Sequence, residues 1–138
     1  MAEEMVVKEP LWPELVEAGK KLTQQLDTDG FPVHASLWFY IPDANQWRLL
    51  IASPIVDTEG PKKAYEGIRE SLSKDPTGFA GLSLQNITVL SPQDPLIRLL
   101  RFAVRLPGIG SVRFTRNRVN NVYIEDAYIY RTVAESHR

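Results

Sequence analysis

The apolar positions of the chain recur at two spacings, which predict where helices and strands form. Apolar residues three and four positions apart, typical of one face of a helix, recur over 13–26, 61–72 and 95–106. Each of these segments begins with a proline, a residue favoured in the first turn of a helix. The third must stop before Pro107, which cannot continue a helix. The sequence therefore predicts three helices.

Alternation of apolar and other residues predicts five strands, over 33–41, 47–56, 82–90, 111–119 and 122–132. Asn120 and Asn121 separate the last two and tolerate the positive φ of a two-residue hairpin turn. With Val119 opposite Val122, that turn places Arg116 opposite Glu125 as a cross-strand ion pair.

The predicted order is αββαβαββ, an α+β fold with a mainly antiparallel five-stranded sheet. A mixed sheet is the alternative, because the third strand, third helix and fourth strand can form a parallel crossover. Residues 1–10 are predicted to be a loose acidic leader, and residues 11–138 a single domain.

The first hairpin yields a secondary candidate surface. If Ile41 pairs with Trp47, the odd-numbered positions of both strands share one buried face. The opposite face then collects His34, Trp38, Tyr40 and Arg48. Because a face so rich in aromatic residues is too apolar for open water, we expect a helix or a partner to cover it.

Composition narrows the class of protein. Of the 138 residues, 43% are hydrophobic and 24% are charged, which is typical of a soluble globular domain. The chain contains no cysteine, which excludes disulfides, thiolate metal sites and thiol nucleophiles. The N-terminal residues are acidic and no apolar run approaches the ~20 residues of a membrane span. We therefore expect a cytoplasmic protein with no membrane partner.

The net charge of −1 conceals an uneven distribution along the chain. Residues 1–97 contain 14 acidic and 8 basic side chains, whereas residues 98–138 contain 3 acidic and 8 basic ones. All eight of these late basic residues are arginines. Such a division indicates a candidate binding surface, although it says nothing about the fold.

Catalytic chemistry has little support in the sequence. The two histidines are His34, at the start of a strand, and His137, near the end of the chain. No Gly-x-Ser-x-Gly motif is present, and the acidic residues are scattered, so we expect no metal and no cofactor. A hydrolase that uses His34 with Asp57 and Glu59 is the third-ranked hypothesis, and we favour a protein that is not an enzyme.

The arginines of the third predicted helix form the main candidate site. At 100° per residue, Arg98, Arg101 and Arg105 fall within a sector about 60° wide, and Phe102 flanks them. The remaining residues of this helix are apolar, so burial or an interface must cover its flanks. The next strand carries further arginines, and the complete candidate set is Arg98, Arg101, Phe102, Arg105, Arg113, Arg116 and Arg118.

Three interpretations of these arginines remain open. They pair with acids of the N-terminal half, or they form a protein interface such as a homodimer, or they contact nucleic-acid phosphates with nearby tyrosines stacking on bases. We favour a non-catalytic binding or interaction module, with the homodimer as its simplest form. Nucleic-acid binding through residues 98–118 is the alternative.

Overall fold

Residues 7–134 are described by a computed structural model, and they form an α+β fold with a five-stranded mixed sheet. The helices are α1 (Pro13–Thr28), α2 (Ile55–Thr58), α3 (Pro61–Ser73) and α4 (Pro95–Ala103). The strands are β1 (Ala35–Ile41), β2 (Gln46–Ala52), β3 (Ile87–Leu90), β4 (Val112–Val119) and β5 (Val122–Thr132). The sequence predicted the three longer helices and all five strands, but β3 begins at Ile87 and not at Leu82, because a 3₁₀ turn over Leu84–Asn86 precedes it. It missed the short α2, whose first two residues were assigned to the second strand.

The sheet has the strand order β3-β2-β1-β5-β4. Strands β2 and β3 are parallel, and the other neighbouring strands are antiparallel. The parallel pair is thus joined by α2 and α3, and not by the helix that was expected to form the crossover. Strands β3 and β4, the two edges, are consecutive in the sequence, and the connection that contains α4 crosses from one edge to the other.

Helices cover both faces of the sheet. Leu22 and Leu26 of α1 and Ile68 of α3 lie in one core cluster with Trp38 and Leu49 of the sheet. Residues of α4 lie in a second cluster on the other face, where Ile97 and Leu100 join Leu37, Leu50 and Ile129. Each strand in the middle of the sheet is therefore apolar on both sides, as strands covered on two faces must be.

The predicted register of the first hairpin is wrong by one residue. Tyr40, and not Ile41, lies opposite Trp47. A 3₁₀ turn over Pro42–Ala44, followed by Asn45 with a left-handed φ of 47°, makes the loop one residue shorter than expected. A shift of one residue moves a side chain to the other face of a sheet. The predicted aromatic face therefore does not exist as a surface.

The residues of that predicted surface are separated by the sheet. Trp38, only 1% exposed, and Tyr40 are buried in the core under the α1 layer. Arg48 lies opposite Phe39 on the other face, where its guanidinium donates to Thr88 Oγ1 at 2.7 Å and to the carbonyls of Gln85 and Ile87. Arg48 therefore ties β2 to β3 and is a structural residue.

Residues 7–9, which were expected to belong to a loose leader, are attached to the sheet. Trp47 Nε1 donates to the Glu9 carbonyl at 2.8 Å, and Asn45 Nδ2 donates to the Val7 carbonyl at 3.0 Å. Lys8 Nζ donates to Asp126 at 2.7 Å and lies 4.8 Å from the centre of the Tyr40 ring. Residues 1–6 of the predicted leader lie outside the described part of the chain.

The register predicted for the second hairpin is confirmed, with Val119 opposite Val122. Arg116 Nε lies 3.7 Å from Glu125 Oε1, as the pairing required. Unexpectedly, Arg116 has a left-handed φ of 49° within the strand. Ile124 packs in the same core cluster as Ala127. In a regular strand, two residues three positions apart lie on opposite faces. The hairpin is therefore kinked at Arg116, and its end bends towards α4.

Candidate functional site

Helix α4 positions the candidate site. The Asp94 carboxylate accepts a hydrogen bond from the Leu96 backbone N–H at 3.0 Å, and Pro95 occupies the first turn. The inner side of the helix is fixed by Ile97 and Leu100, which are fully buried. The helix ends at Ala103, earlier than predicted, because Val104 is extended and the next residues pair with the end of β5.

A concavity of about 580 Å³ lies along the outer side of α4, and we call it the α4 groove. Arg98, Leu99, Arg101, Phe102 and Arg105 line it from the α4 segment. Gln93 and Pro95 at the start of α4, Asn120 of the bent hairpin and Ala134 after β5 complete the lining. The structure therefore brings together four of the seven predicted site residues. Sequence reasoning missed Asn120, which reaches the groove because of the kink in β4.

Arg101 does not have the exposed position that its place in the arginine sector suggested. Its side chain is buried, with 6% of the residue exposed. The Nε group donates to the Val133 carbonyl, and Nη1 donates to the Pro92 carbonyl at 3.2 Å. These bonds tie α4 to the end of β5. Because carbonyl oxygens satisfy the N–H groups without cancelling the charge, Arg101 still contributes a fixed positive charge to the floor of the groove.

Phe102 is the most exposed large apolar side chain within residues 7–134, at 77%. Arg98 and Arg105 flank it, and both are exposed. The Phe102 ring does not contribute to the core, because Ile97 and Leu100 fill the side of α4 that faces the sheet. The three side chains form the accessible part of the candidate site.

Arg113 lies on the opposite face of the sheet from the groove. Its Nε and Nη2 groups donate to the two carboxylate oxygens of Asp126 at 2.6 and 2.7 Å. Burial raises the pKa of Asp126, but the hydrogen bonds from Arg113 and Lys8 together outweigh burial, and the pKa is lowered. Arg113 is therefore part of a structural ion pair that also holds residue Lys8 in place.

Arg116 and Arg118 form a separate cluster on the outer face of the bent hairpin. Arg118 lies opposite Tyr123, whose hydroxyl donates to Glu125 Oε2 at 2.8 Å. That hydrogen bond raises the pKa of Tyr123, and the nearby Arg116 and Arg118 charges oppose the shift. Because Ile124 faces α4, its neighbour Tyr123 points away from it. The predicted arginine set is therefore divided among the groove, the outer hairpin face and the Asp126 pair.

Arg131, which is outside the predicted set, pairs with an acid of the N-terminal half. Its two terminal nitrogens donate to the two carboxylate oxygens of Asp27 at 2.7 Å each. Arg113 and Arg116 instead pair with Asp126 and Glu125 of the adjacent strand. Two of the seven predicted residues, Arg113 and Arg116, therefore form ion pairs within the last hairpin.

Among the described residues, no hydrogen-bond partner orients the Nδ1 atom of His34, as a catalytic base would require. The Nδ1 atom is buried. Burial lowers the pKa of His34, and the Arg101 charge lowers it further. Asp57 instead accepts a hydrogen bond from the Ser91 hydroxyl at 2.8 Å. Within residues 7–134, no group of three or more acidic or histidine side chains could hold a metal ion. His137 lies outside the described residues.

Comparisons with protein-family models, with curated protein sequences and with solved structures found no match to this chain. Among the described helices, none combines the length and the hydropathy that crossing a bilayer requires.

Proposed function

We propose that the protein is a non-catalytic interaction module and that a partner protein binds in the α4 groove. The observation that carries this proposal is the exposure of Phe102 between Arg98 and Arg105 in a concavity of about 580 Å³. Aromatic and arginine side chains at the centre of a contact surface supply most of the binding energy in many protein interfaces. The rigid attachment of α4 through Ile97, Leu100 and Arg101 presents these groups without a prior ordering cost.

A homodimer through this surface is less favourable than a different partner. In a two-fold symmetric contact, the same patch of both subunits meets itself. Two antiparallel α4 helices centred on Phe102 would place Arg98 of one subunit near Arg105 of the other. Such like-charge contacts oppose association. The groove therefore suits a partner whose charge is opposite to its own.

Nucleic-acid binding is the second candidate, and the outer hairpin face favours it. Arg116 and Arg118 lie beside Tyr123, which is half exposed and could stack on a base. These cations face away from the groove, however, so they do not extend the charge of Arg98 and Arg105 into one track. A nucleic-acid strand needs a continuous series of phosphate contacts. A partner protein therefore accounts better for the position of Phe102.

Site-directed photocrosslinking tests the proposal. A benzophenone amino acid replaces Phe102 in the full chain, and the matched control places the same group at Trp12, which is 53% exposed at the start of α1. In cells that naturally make the protein, we expect a discrete protein adduct from position 102 that is absent from position 12. The adduct should weaken when Arg105→Glu is added to the same chain.

Each other result contradicts the proposal in a different way. Adducts of equal yield from both positions, or no adduct from position 102, would show that the groove does not bind a partner. A cross-linked nucleic acid would establish the second candidate instead. An adduct with the mass of two copies of the chain would establish a homodimer.

A further inference from the structure

We infer that the α4 groove recognises an acidic segment of its partner, in which carboxylate side chains flank an apolar one. This inference rests on the proposed function and specifies the chemistry of the ligand. Of the described residues that line the groove, three are arginines and none is acidic. The lining also includes Leu99 and Phe102, which provide an apolar surface between the cations.

The charge of the groove arises from two kinds of arginine. Arg101 is held in place by the Val133 and Pro92 carbonyls, so its charge is fixed beneath the surface. Arg105 is exposed at the rim, where its planar guanidinium can form two parallel hydrogen bonds with a carboxylate. A carboxylate in the groove would therefore meet a pre-positioned positive field and a group able to bind it directly.

The apolar part of the ligand is indicated by Phe102. A purely acidic ligand would leave this phenyl ring in water, whereas an apolar side chain that packs on it removes surface from water on both partners. Arg105 and Phe102 are three residues apart and both are exposed, so one carboxylate and one apolar side chain of a short segment can contact them together. In an extended segment, residues two positions apart point to the same side. A Glu-x-Leu spacing therefore fits the groove.

Titration of the isotopically labelled full chain with three synthetic peptides tests this inference. The probes are twelve-residue repeats of Glu-Ser-Leu, Glu-Ser-Ser and Lys-Ser-Leu. We expect the Glu-Ser-Leu peptide to shift the backbone amide signals of residues 95–105 and Asn120. The other two peptides should bind at least about 5-fold more weakly, because each lacks one of the two contacts.

Two variants and a matched control locate the binding. Arg105→Glu should weaken binding of the Glu-Ser-Leu peptide by about 10-fold, since it replaces attraction by repulsion. Phe102→Ser should weaken it by a similar factor. Arg69→Glu makes the same charge change on the exposed side of α3, in the other helical layer, and should leave binding unchanged. Unchanged unfolding midpoints of the variants would show that the fold is intact.

The outcomes separate the ligand chemistry from the proposed function. Equal binding of the Glu-Ser-Ser peptide refutes the apolar contact, and equal binding of the Lys-Ser-Leu peptide refutes the acidic one. Tighter binding of a twelve-residue oligothymidylate at the same amides refutes a protein ligand. If no peptide shifts these amides while position 102 still cross-links to a protein, the inference fails and the proposed function stands. If both experiments fail, neither stands.

Discussion

Replacing Gly19 with alanine tests the packing of α1 on the sheet. A Cβ atom at this position would lie 2.5 Å from Tyr130 Oη and 2.8 Å from Trp38 Nε1. Carbon atoms in ordinary contact with such neighbours are about 3.5 Å away. Tyr130 and Trp38 would each have to move by about 1 Å, or α1 would have to move away from the sheet.

Neither side chain can move freely. Trp38 and Tyr130 are both about 1% exposed, and each donates a hydrogen bond to a carbonyl of α1: Trp38 Nε1 to Leu15 and Tyr130 Oη to Val16. Overpacking of a core typically costs about 1–3 kcal/mol, and each weakened hydrogen bond costs up to about 1 kcal/mol. The higher helix propensity of alanine stabilises the folded chain by about 1 kcal/mol relative to glycine. We expect a net loss of about 2 kcal/mol in the free energy of unfolding.

Urea denaturation monitored by tryptophan fluorescence measures this change, since the chain has three tryptophans. The matched control is Gly108→Ala, because an added Cβ there meets no atom within 4 Å. Combining Gly19→Ala with Tyr130→Phe removes the closest contact, so the double variant should be more stable than the sum of the single effects indicates. If Gly19→Ala is as stable as the native chain, the helix and sheet are not packed as described.

Three further predictions concern other parts of the structure. Asp126→Asn should lower the free energy of unfolding by about 1–2 kcal/mol at neutral pH, because two cations hydrogen-bond to a carboxylate that is 3% exposed. This difference should shrink as the pH falls below about 4, because the carboxylate then takes up a proton more readily in the unfolded chain than in the folded one, where its pKa is lowered. His34→Gln should remove a loss of stability that the native chain shows as the pH falls from about 7 to 5. Arg116→Gly should be more stable than Arg116→Val by about 2 kcal/mol, because a β-branched residue is strained at a φ of 49°.

Each of these predictions can fail in its own way. The expected direction of the pH dependence follows from the lowered pKa of Asp126 and of His34 in the folded chain. Each group binds a proton more readily in the unfolded chain, so the free energy of unfolding decreases as the pH falls. A difference for Asp126→Asn that is constant from pH 3 to 7 would show that charge is not involved. If the free energy of unfolding depends on pH in the same way for the native chain and for His34→Gln, protonation of His34 does not affect stability. Equal stability of the two Arg116 variants would show that the kink is not strained.

The sequence predicted most elements of the fold because their ends carry strong local signals. Prolines at the starts of α1, α3 and α4 marked three helices, and the Asn120–Asn121 turn determined the register of the last hairpin. The first hairpin lacked such a signal. Both faces of β1 are covered by helices, so Leu37 and Trp38 are equally buried and alternation cannot distinguish the two registers.

The candidate site was predictable in part. Helical periodicity alone placed Arg98, Arg101 and Arg105 on one side of the third predicted helix, and all three line the groove although Arg105 lies beyond the end of α4. Periodicity could not show that Arg101 is buried, because its partners are carbonyls of distant residues, Pro92 and Val133, which carry no side-chain signal. The kink that brings Asn120 to the groove depends on the left-handed Arg116, and arginine is not a residue that marks such a conformation.

The position of β5 between β1 and β4 determines the order in which the chain can fold during synthesis. Ala35 pairs with Thr132, so the centre of the sheet joins two segments that are far apart in the sequence. Until β5 leaves the ribosome, one edge of β1 has no partner, and an open strand edge attracts strands of other chains. Pairing across such a separation also slows folding. We therefore expect nascent chains that lack β5 to depend on chaperones, and the sheet to form in one cooperative step once β5 is present.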